Sequence, residues 1–355
     1  MAMPIFKQLF RRRLNLLLGL MSMVLLISFS SCSGNPSGNA DSGALPDEFR
    51  IGYQLTAGPE TLVKELGLME EAFPQVSIRW QAYDSGRDVN DAIAASNIDA
   101  GLVGSVPVSI GIADSLPYQV YFIMNILGDN EALAVSEVSN IETTADLADK
   151  IIAVPFGSTT HFSLLAALEQ DGVNPDEVQI LDMQPQDLLT AWQFGEIDGG
   201  FVWQPTLSRM LDEGGNILVS ARELAENGAI TAALGVVSTE FATRYPDFLQ
   251  RYVAALDTAV QLYQEQPTAA AEAMSKALAL SPEESLQVMN ELVWLRAADQ
   301  RTEKYLGTPE TPGALSQVLK NSAEFLVAQG ELAAAPELEK YEAALLSEPL
   351  AKTGP

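Results

Sequence analysis

Short apolar runs alternate with segments of helical spacing along residues 49–123. Apolar runs of strand length, rich in β-branched residues, indicate strands, and apolar residues three or four positions apart indicate helices. Strands are therefore predicted at 49–54, 76–82, 99–103 and 119–123, with helices at 61–68, 87–95 and 106–112 between them. This strand–helix alternation predicts a mostly parallel sheet covered by helices on both faces.

The same alternation restarts near Glu131 and predicts a second α/β lobe. Its strands are predicted at 132–135, 151–154, 178–181, 199–202 and 217–219, and its helices at 160–170, 186–194 and 205–212. A further strand at 235–238 is a candidate to return to the first sheet. We expect the chain to cross between the lobes near 127–130 and again near 229–234. Two lobes joined by two crossovers form a hinged cleft suited to a small ligand.

From Thr239 onward the chain is rich in alanine and helical in pattern. Pro246, Pro267 and Pro282 each stand where a helix can begin, because the first helical turn does not need the proline N–H. These helices are predicted to pack on the first lobe. The predicted domains are 48–128 (lobe 1, first part), 129–232 (lobe 2), 233–345 (return strand and C-terminal helices of lobe 1) and a tail at 346–355.

The first 31 residues have the pattern of an export signal. A basic start, with Lys7 and three consecutive arginines from Arg11, precedes an apolar run at 14–29. Phe29-Ser30-Ser31-Cys32 then resembles a bacterial lipobox, with Phe29 in the position expected for leucine. We therefore expect cleavage of a lipoprotein signal peptide at 1–31 and lipidation of Cys32. An uncleaved membrane anchor is the alternative, although the apolar run is short for a span.

Composition assigns a compartment and excludes one class of partner. Cys32 is the only cysteine, so the chain has no disulfide framework. The formal charge is −27, which excludes nucleic acid and disfavours anionic membrane surfaces, since both require basic patches. Residues 32–47 are rich in Ser, Gly, Asn and Pro and predict a flexible tether. We expect an exported protein, lipid-anchored through Cys32 on the periplasmic or cell-surface side of a bacterial membrane.

Several kinds of catalytic site are missing from the sequence. His161 is the only histidine, which excludes a zinc site built from histidines. The chain has no G-x-S-x-G elbow, no G-x-x-x-x-G-K-[ST] phosphate loop and no G-x-G-x-x-G turn. The prediction is a protein that is not an enzyme and has no cofactor or metal. Paired carboxylates remain the enzymatic alternative in so acidic a chain.

Residues 150–168 combine a strand, a tight turn and a helix start. The apolar run at 151–154 is followed by Pro155, Gly157 and three hydroxyl residues, Ser158, Thr159 and Thr160. Free N–H groups and the helix dipole make such a start a natural anion site, although helix capping alone explains the hydroxyls. Lys150 is the only Lys or Arg between Arg87 and Arg209, so an anion site in this span must use neutral donors.

Other strand ends carry candidate donors, each with capping or core packing as the alternative. Tyr53 and Gln54 end the first strand, where ligands of α/β proteins commonly bind. Asp84-Ser85-Gly86 and Gly104-Ser105-Val106-Pro107 each connect a strand to a helix. Trp203 follows the strand at 199–202 and could close over a ligand, whereas Trp192 lies in the middle of a predicted helix.

A series of short segments carries a resemblance to a known family. They are Ile51-Gly52-Tyr53-Gln54, Asp84-Ser85-Gly86, Gly104-Ser105 with Pro107, Asn130-Glu131-Ala132-Leu133, Ile152-Ala153-Val154-Pro155-Phe156, Ser158-Thr159-Thr160-His161, Ser163 through Leu168, Ala191-Trp192-Gln193, Ile197-Asp198-Gly199, and Val202-Trp203 with Pro205. From about residue 49 to 330 the chain resembles the periplasmic taurine-binding proteins of ABC importers, within the sulfonate, nitrate and thiamine-precursor binding group. The Ser-Thr-Thr-His segment indicates the taurine branch.

The resemblance implies a type II periplasmic binding fold, in which two α/β lobes close on a small sulfonate for delivery to a membrane permease by a monomer. It implies that the sulfonate oxygens are held by Gln54, Ser105, Ser158, Thr159 and Thr160. It also implies that Trp203 lines the pocket and that Glu131 faces the ammonium group of taurine. Residues predicted to lie behind this layer are Tyr53, Asp84, Ser85, His161 and Trp192.

Two departures from the family pattern bear on the ligand. Val106 replaces a second serine after Gly-Ser, and Thr231-Ala232-Ala233-Leu234-Gly235 stands where the family has Thr-Leu-Asp-Val-Trp. An acid for the ammonium group is therefore missing at Ala233, which favours a sulfonate without an amine as an alternative to taurine. A nitrate-like anion or a thiamine precursor is the alternative within the family. An enzyme on this scaffold and a purely structural lipoprotein are the alternatives outside it.

Overall fold

The structure, a computed structural model, describes residues 43–352 of the chain. The predicted signal at 1–31, the lipidation site Cys32 and most of the tether at 32–47 lie outside the described residues. Within the described range, no helix is both long enough and apolar enough to cross a membrane.

The first series of elements follows the predicted alternation, with ends displaced by a few residues. The strands are β1 (Glu48–Tyr53), β2 (Ser77–Ala82), β3 (Ala100–Gly104) and β4 (Tyr118–Ile126), and the helices are α1 (Pro59–Leu66), α2 (Leu68–Ala72), α3 (Gly86–Ala94) and α4 (Ser105–Ala113). The short α2 was not predicted. It is separate from α1 because Gly67 adopts a left-handed conformation, with φ of 65°, that ends α1.

The second series also follows the prediction. Its strands are β5 (Glu131–Ser136), β6 (Ile151–Val154), β7 (Gln179–Asp182), β8 (Gly199–Trp203) and β9 (Gly215–Ser220), and its helices are α5 (Thr159–Gln170), α6 (Pro185–Gln193), α7 (Thr206–Asp212) and α8 (Ala221–Glu226). The unpredicted α8 begins with a capping box, in which the Ser220 hydroxyl accepts from the Glu223 N–H and the Glu223 carboxylate accepts from the Ser220 N–H.

Strand β10 (Ala232–Ser238) returns to the first sheet, as expected from its sequence. The strand orders are β2-β1-β3-β10-β4 and β7-β6-β8-β5-β9. In the first sheet β10 is antiparallel to both neighbours, and in the second β5 is antiparallel to both. The reversed strand in each sheet is the one that arrives directly from the other sheet. Both sheets are otherwise parallel, which confirms the predicted fold class.

The C-terminal third is helical, with α9 (Thr239–Arg244), α10 (Pro246–Glu265), α11 (Pro267–Leu278), α12 (Pro282–Asn290), α13 (Ala297–Gln300), α14 (Leu315–Ala328) and α15 (Leu338–Ala343). The three prolines predicted to begin helices do so. Most of these helices share the hydrophobic core of the first sheet. The end of α14 differs, because Phe325 and Leu326 pack in the core of the second sheet, where the Phe325 ring meets Phe162 at 4.8 Å. The C-terminal helices therefore pack on the first lobe, as predicted, and the end of α14 also contacts the second.

Candidate functional site

A cavity of about 40 Å³ lies where the two sheets face each other, and residues of both sheets line it. This volume accommodates roughly three water molecules. The lining residues are Gln54, Thr56, Gly86, Leu102, Gly104, Pro107, Leu127, Asn130, Glu131, Ser158, Thr159, Trp203 and Ala233. A larger surface depression, bounded by Phe73, Phe248 and Arg251 among others, contains none of the predicted site residues. The smaller cavity is therefore the candidate site.

Three helices begin at residues that line this cavity. Gly86 is the first residue of α3, Gly104 precedes α4, and Ser158 precedes α5. The first N–H groups of a helix have no intrahelical acceptor, and the dipole places partial positive charge at that end. A side chain on Gly104 would place its Cβ 2.9 Å from Cγ2 of Thr159, so the starts of α4 and α5 can approach closely. The three helix starts together favour an anion in the cavity.

No lysine, arginine or histidine lines the cavity within the described part of the chain. An anion there would meet backbone N–H groups, hydroxyls and amides rather than a fixed positive charge. This lining agrees with the shortage of cations between Arg87 and Arg209.

The turn before α5 uses most of its hydroxyl groups internally. Ser158 Oγ donates to the Pro155 carbonyl at 2.5 Å and accepts from the His161 N–H at 3.1 Å, which caps the helix. Thr160 is fully buried, and its Oγ1 lies 2.8 Å from Ser158 Oγ. The backbone N–H groups of Thr159 and Thr160 meet no acceptor among residues 43–352. Both N–H groups are thus free donors at the start of α5, and Thr159 is the one of the two residues that lines the cavity.

Glu131 is the one acid that lines the cavity among the described residues. Its Oε1 accepts a hydrogen bond of 2.7 Å from the Thr159 hydroxyl, while its Oε2 is buried without a partner. Burial disfavours the charged form and raises the pKa of the Glu131 carboxyl to about 7, although the bond from Thr159 acts in the opposite direction. The carboxyl therefore titrates near neutral pH rather than in the acidic range usual for glutamate.

Gln54 and Ser105, both predicted from the sequence as donors to the ligand, differ in their position relative to the cavity. Gln54 lines the cavity, and its Nε2 donates to the Leu102 carbonyl at 2.9 Å. Ser105 is fully buried outside the lining, and its Oγ accepts from the Ala232 N–H at 3.1 Å. Ser105 therefore joins the start of α4 to β10.

The two tryptophans also differ in position. Trp203 lines the cavity at the end of β8 and stands opposite Glu131 in the β5–β8 register. Trp192 packs in a core cluster with Leu188 and Met210 and does not line the cavity. The end of a strand presents an indole to the cleft, whereas the buried face of α6 directs one into the core.

Three predicted supporting residues lie at the edge of the first sheet. Tyr53 packs edge-on against Trp80, with 6.3 Å between ring centroids. Asp84 is exposed. Ser85 is buried at the start of α3, where its Oγ accepts from Gln184 Nε2 at 3.2 Å. None of the three lines the cavity.

His161 lies behind the α5 turn. Its Nδ1 accepts from the Gly157 N–H at 3.3 Å, and its ring stacks on Phe156 with 4.6 Å between centroids. Burial lowers the pKa of the imidazole, although Glu331 and Asp182 act in the opposite direction. The residue supports the shape of the turn and does not line the cavity.

Sequence reasoning missed several lining residues. Thr56 and Asn130 add polar groups, and the Asn130 Oδ1 accepts from the Gly128 N–H at 2.9 Å. Leu102, Leu127 and Ala233 add an apolar wall. The sequence signal for Leu127, Asn130 and Ala233 is their position at the two crossovers, between β4 and β5 and at the start of β10. Thr56 follows β1 and Leu102 lies within β3, so neither has that signal.

Polar contacts also join the two sheets beside the cavity. The guanidinium of Arg87 lies 2.9 Å from the Asp182 carboxylate, and both side chains are partly exposed. Gln184 Nε2 donates to Ser85 Oγ and, at 3.3 Å, to an Asp88 carboxylate oxygen. These contacts connect the start of α3 with the end of β7 and the start of α6.

The chain matches a protein-family model and a characterised relative along most of its length. Residues 46–279 match the model of the NMT1-like family. The chain is 32% identical over 297 residues to the taurine-binding periplasmic protein of Escherichia coli (strain K12). The aligned region covers 80% of this chain and 87% of the relative.

Two solved structures show the fold. The alkanesulfonate-binding protein SsuA from Xanthomonas axonopodis pv. citri, bound to MOPS, superposes with a TM-score of 0.70 at 22% identity, covering 85% of this chain and 99% of that one. The desulfurization enzyme DSZB superposes with a TM-score of 0.60 at 15% identity, covering 87% and 99%. The same fold thus occurs in a binding protein and in an enzyme.

Proposed function

Because this chain belongs to the NMT1-like family, we propose that it is the substrate-binding protein of an ABC importer and captures taurine or a related aliphatic sulfonate between its two lobes. The observation that carries the proposal is the cavity itself. Three helices that follow strands of the two sheets begin there, and no cationic side chain among the described residues lines it. A sulfonate offers three anionic oxygens, and convergent N–H groups suit such a group.

The site residues take distinct roles in this proposal. The sulfonate accepts from the free N–H groups at the start of α5, with Ser158, Thr159 and Gln54 around it, while the Thr160 side chain stays behind this layer against Ser158. Ser105 acts through the position of α4, since its hydroxyl accepts from Ala232. Trp203 covers the ligand, and Glu131 faces the end remote from the sulfonate. The two named relatives, a taurine-binding and an alkanesulfonate-binding protein, support this ligand class.

Delivery and location form the second part of the proposal. A protein that captures a sulfonate outside the cell requires a membrane permease to which it can pass the ligand. We propose that the signal at 1–31 directs export and that a lipid on Cys32 holds the protein, as a monomer, near that permease. The tether at 32–47 gives the folded part freedom to reach it.

An enzymatic function has less support. DSZB shows that the fold occurs in an enzyme. In the described part of this chain, however, neither cysteine nor histidine lines the cavity, and His161 is held behind the turn against Phe156. A binding role therefore fits the lining better than covalent catalysis.

Titration calorimetry of the purified full-length protein tests the function. The ligands are taurine, ethanesulfonate, sulfate and nitrate, each up to millimolar concentration. We expect saturable binding of at least one sulfonate, tighter than binding of sulfate or nitrate. A preference for nitrate would favour the alternative within the family, and binding of no sulfonate would refute the proposal. Mass spectrometry of ligand retained through gentle purification identifies the natural compound.

A further inference from the structure

Glu131 is an unusual residue for a cavity that favours anions. It is buried, and its Oε2 has no hydrogen-bond partner. Its only donor is the Thr159 hydroxyl on Oε1. A buried carboxylate without a cation is costly, so the group is stable either as the neutral acid or beside a positive charge that a ligand brings.

No charged protein group compensates Glu131 within residues 43–352. Asp129, two residues earlier, is paired with Arg222 at 2.6 Å on the exposed side of the crossover. Glu291 accepts a hydrogen bond of 3.2 Å from Nε2 of Gln204, the residue that follows Trp203 in the chain. His161, the titratable group nearest to Thr159 on α5, bonds Gly157 instead. The charge of Glu131 therefore depends on the ligand and on pH.

We propose that Glu131 determines which class of sulfonate the cavity accepts, and that gain or loss of its proton switches the preference between sulfonates with and without an amine. The inference rests on the proposed function and names the ligand classes of that site.

Each protonation state suits one class of ligand. An ionised Glu131 attracts the ammonium group of taurine and repels a second anion. A neutral Glu131 does not repel an anion, and its O–H becomes a donor. The wall formed by Leu127 and Ala233 offers no polar group to an amine, so an uncharged ligand end fits there. Ethanesulfonate has the chain length of taurine without its amine and is the matched ligand.

Proton exchange with solvent balances each binding step. Above neutral pH, ethanesulfonate binding takes one proton from the buffer onto the Glu131 carboxylate. Below neutral pH, taurine binding releases that proton to the buffer and leaves the carboxylate beside the ammonium group. Neither step needs another reactant.

Burial raises the pKa of the Glu131 carboxyl to about 7, so the change in ligand preference falls within a pH range in which affinities can be measured. Between about pH 6 and pH 8 the protonated fraction of such a group falls about tenfold, and apparent affinity follows the competent fraction. Ethanesulfonate affinity should therefore fall about tenfold while taurine affinity rises about tenfold. The ratio of the two affinities changes about 100-fold.

Calorimetry at pH 6, 7 and 8 in buffers of different ionisation enthalpy tests the inference on the full-length protein. It yields both affinities and the number of protons exchanged. Glu131→Gln cannot ionise, so this variant should bind ethanesulfonate equally at all three pH values and should lose the pH-dependent gain for taurine. Glu60→Gln is the matched control, because Glu60 is another buried acid that does not line the cavity. It should leave the switch unchanged.

The outcomes separate this inference from the proposed function. Sulfonate binding with a constant affinity ratio and no proton exchange would overturn the role of Glu131 while the function stands. Binding of neither sulfonate at any pH would refute the function and the inference together. If Glu131→Gln does not fold, proton exchange in the unmodified protein still decides the question.

Discussion

The hydroxyl of Thr159 donates to Oε1 of Glu131 at 2.7 Å, and this contact joins the start of α5 to the start of β5. The bond uses the proton of Thr159, so that hydroxyl is not free to donate to a sulfonate while Glu131 is ionised. The side chain of Thr159 therefore sets the state of the acid, and its backbone N–H is the donor for an anion.

Thr159→Val should weaken taurine binding at pH 8 about two- to 15-fold. Glu131 would lose its only hydrogen-bond donor, and because a bond to a charged group contributes ~1.5–3 kcal/mol, the pKa of the carboxyl would rise further and less of it would be ionised. Thr159→Ser retains the hydroxyl and should bind nearly as the unmodified protein. Calorimetry at pH 8, where Glu131 is mainly ionised, makes the comparison. Equal affinity of the valine and serine variants would contradict this role.

Thr160→Val should act mainly on stability. Its hydroxyl is buried 2.8 Å from Ser158 Oγ and does not line the cavity. We expect a loss of about 1 kcal/mol in the free energy of unfolding without ligand, a typical net value for such a bond. Chemical denaturation measures it. A large loss of affinity at unchanged stability would place the Thr160 hydroxyl on the ligand instead.

Arg87→Ala should weaken ligand binding two- to fivefold at low salt. The Arg87–Asp182 pair joins the two sheets and should favour a closed cleft, but both groups are partly exposed, and such pairs contribute about 0.2–1 kcal/mol. Arg79→Ala is the control, because Arg79 pairs with Glu48 within the first sheet at 3.1 Å. Calorimetry across a salt series should show the difference between the variants disappear at high salt. A persistent difference would indicate another role.

Glu60→Gln should stabilise the protein at alkaline pH. Burial raises the pKa of Glu60 to about 8, although the Tyr252 hydroxyl donates to it at 3.1 Å. Between pH 4.5 and 8 the unfolded chain has lost this proton while the folded chain retains it, so the free energy of unfolding falls as pH rises.

We therefore expect Glu60→Gln to be about 2–4 kcal/mol more stable than the unmodified protein at pH 8 and nearly equal to it at pH 5, since one pKa unit corresponds to ~1.4 kcal/mol. Denaturation curves at both pH values measure this. Glu272→Gln, on the exposed surface of α11, should show no such difference. The same pH dependence in both variants would refute the assignment to Glu60.

Trp203→Phe should remove most of the fluorescence change that ligand produces, because Trp203 is the indole that lines the cavity. Trp192→Phe should retain that change. Trp192→Ala should instead cost about 3–5 kcal/mol of stability, as expected for a large core side chain. Fluorescence titration and thermal melting distinguish the two roles. A ligand signal lost with Trp192→Phe but kept with Trp203→Phe would reverse the assignment.

The sequence predicted the elements well because the signals for them are local. The strand at 151–154, the turn at Pro155 and Gly157 and the helix after Ser158 depend on side chains within a few residues of one another. The helix starts at Pro246, Pro267 and Pro282 have the same local origin. Alternation of these elements then limits the chain to a few α/β arrangements.

The sequence by itself determined the order of strands and helices, the shortage of cations and the segments that reach the cleft. The tertiary structure decided which donors face the cavity. Thr159 and Thr160 are adjacent, but successive side chains on a helix point about 100° apart, so one meets Glu131 and the other Ser158. Ser105 meets an N–H that lies 127 residues away, on β10. Such contacts depend on strand order and helix rotation, which no local pattern specifies.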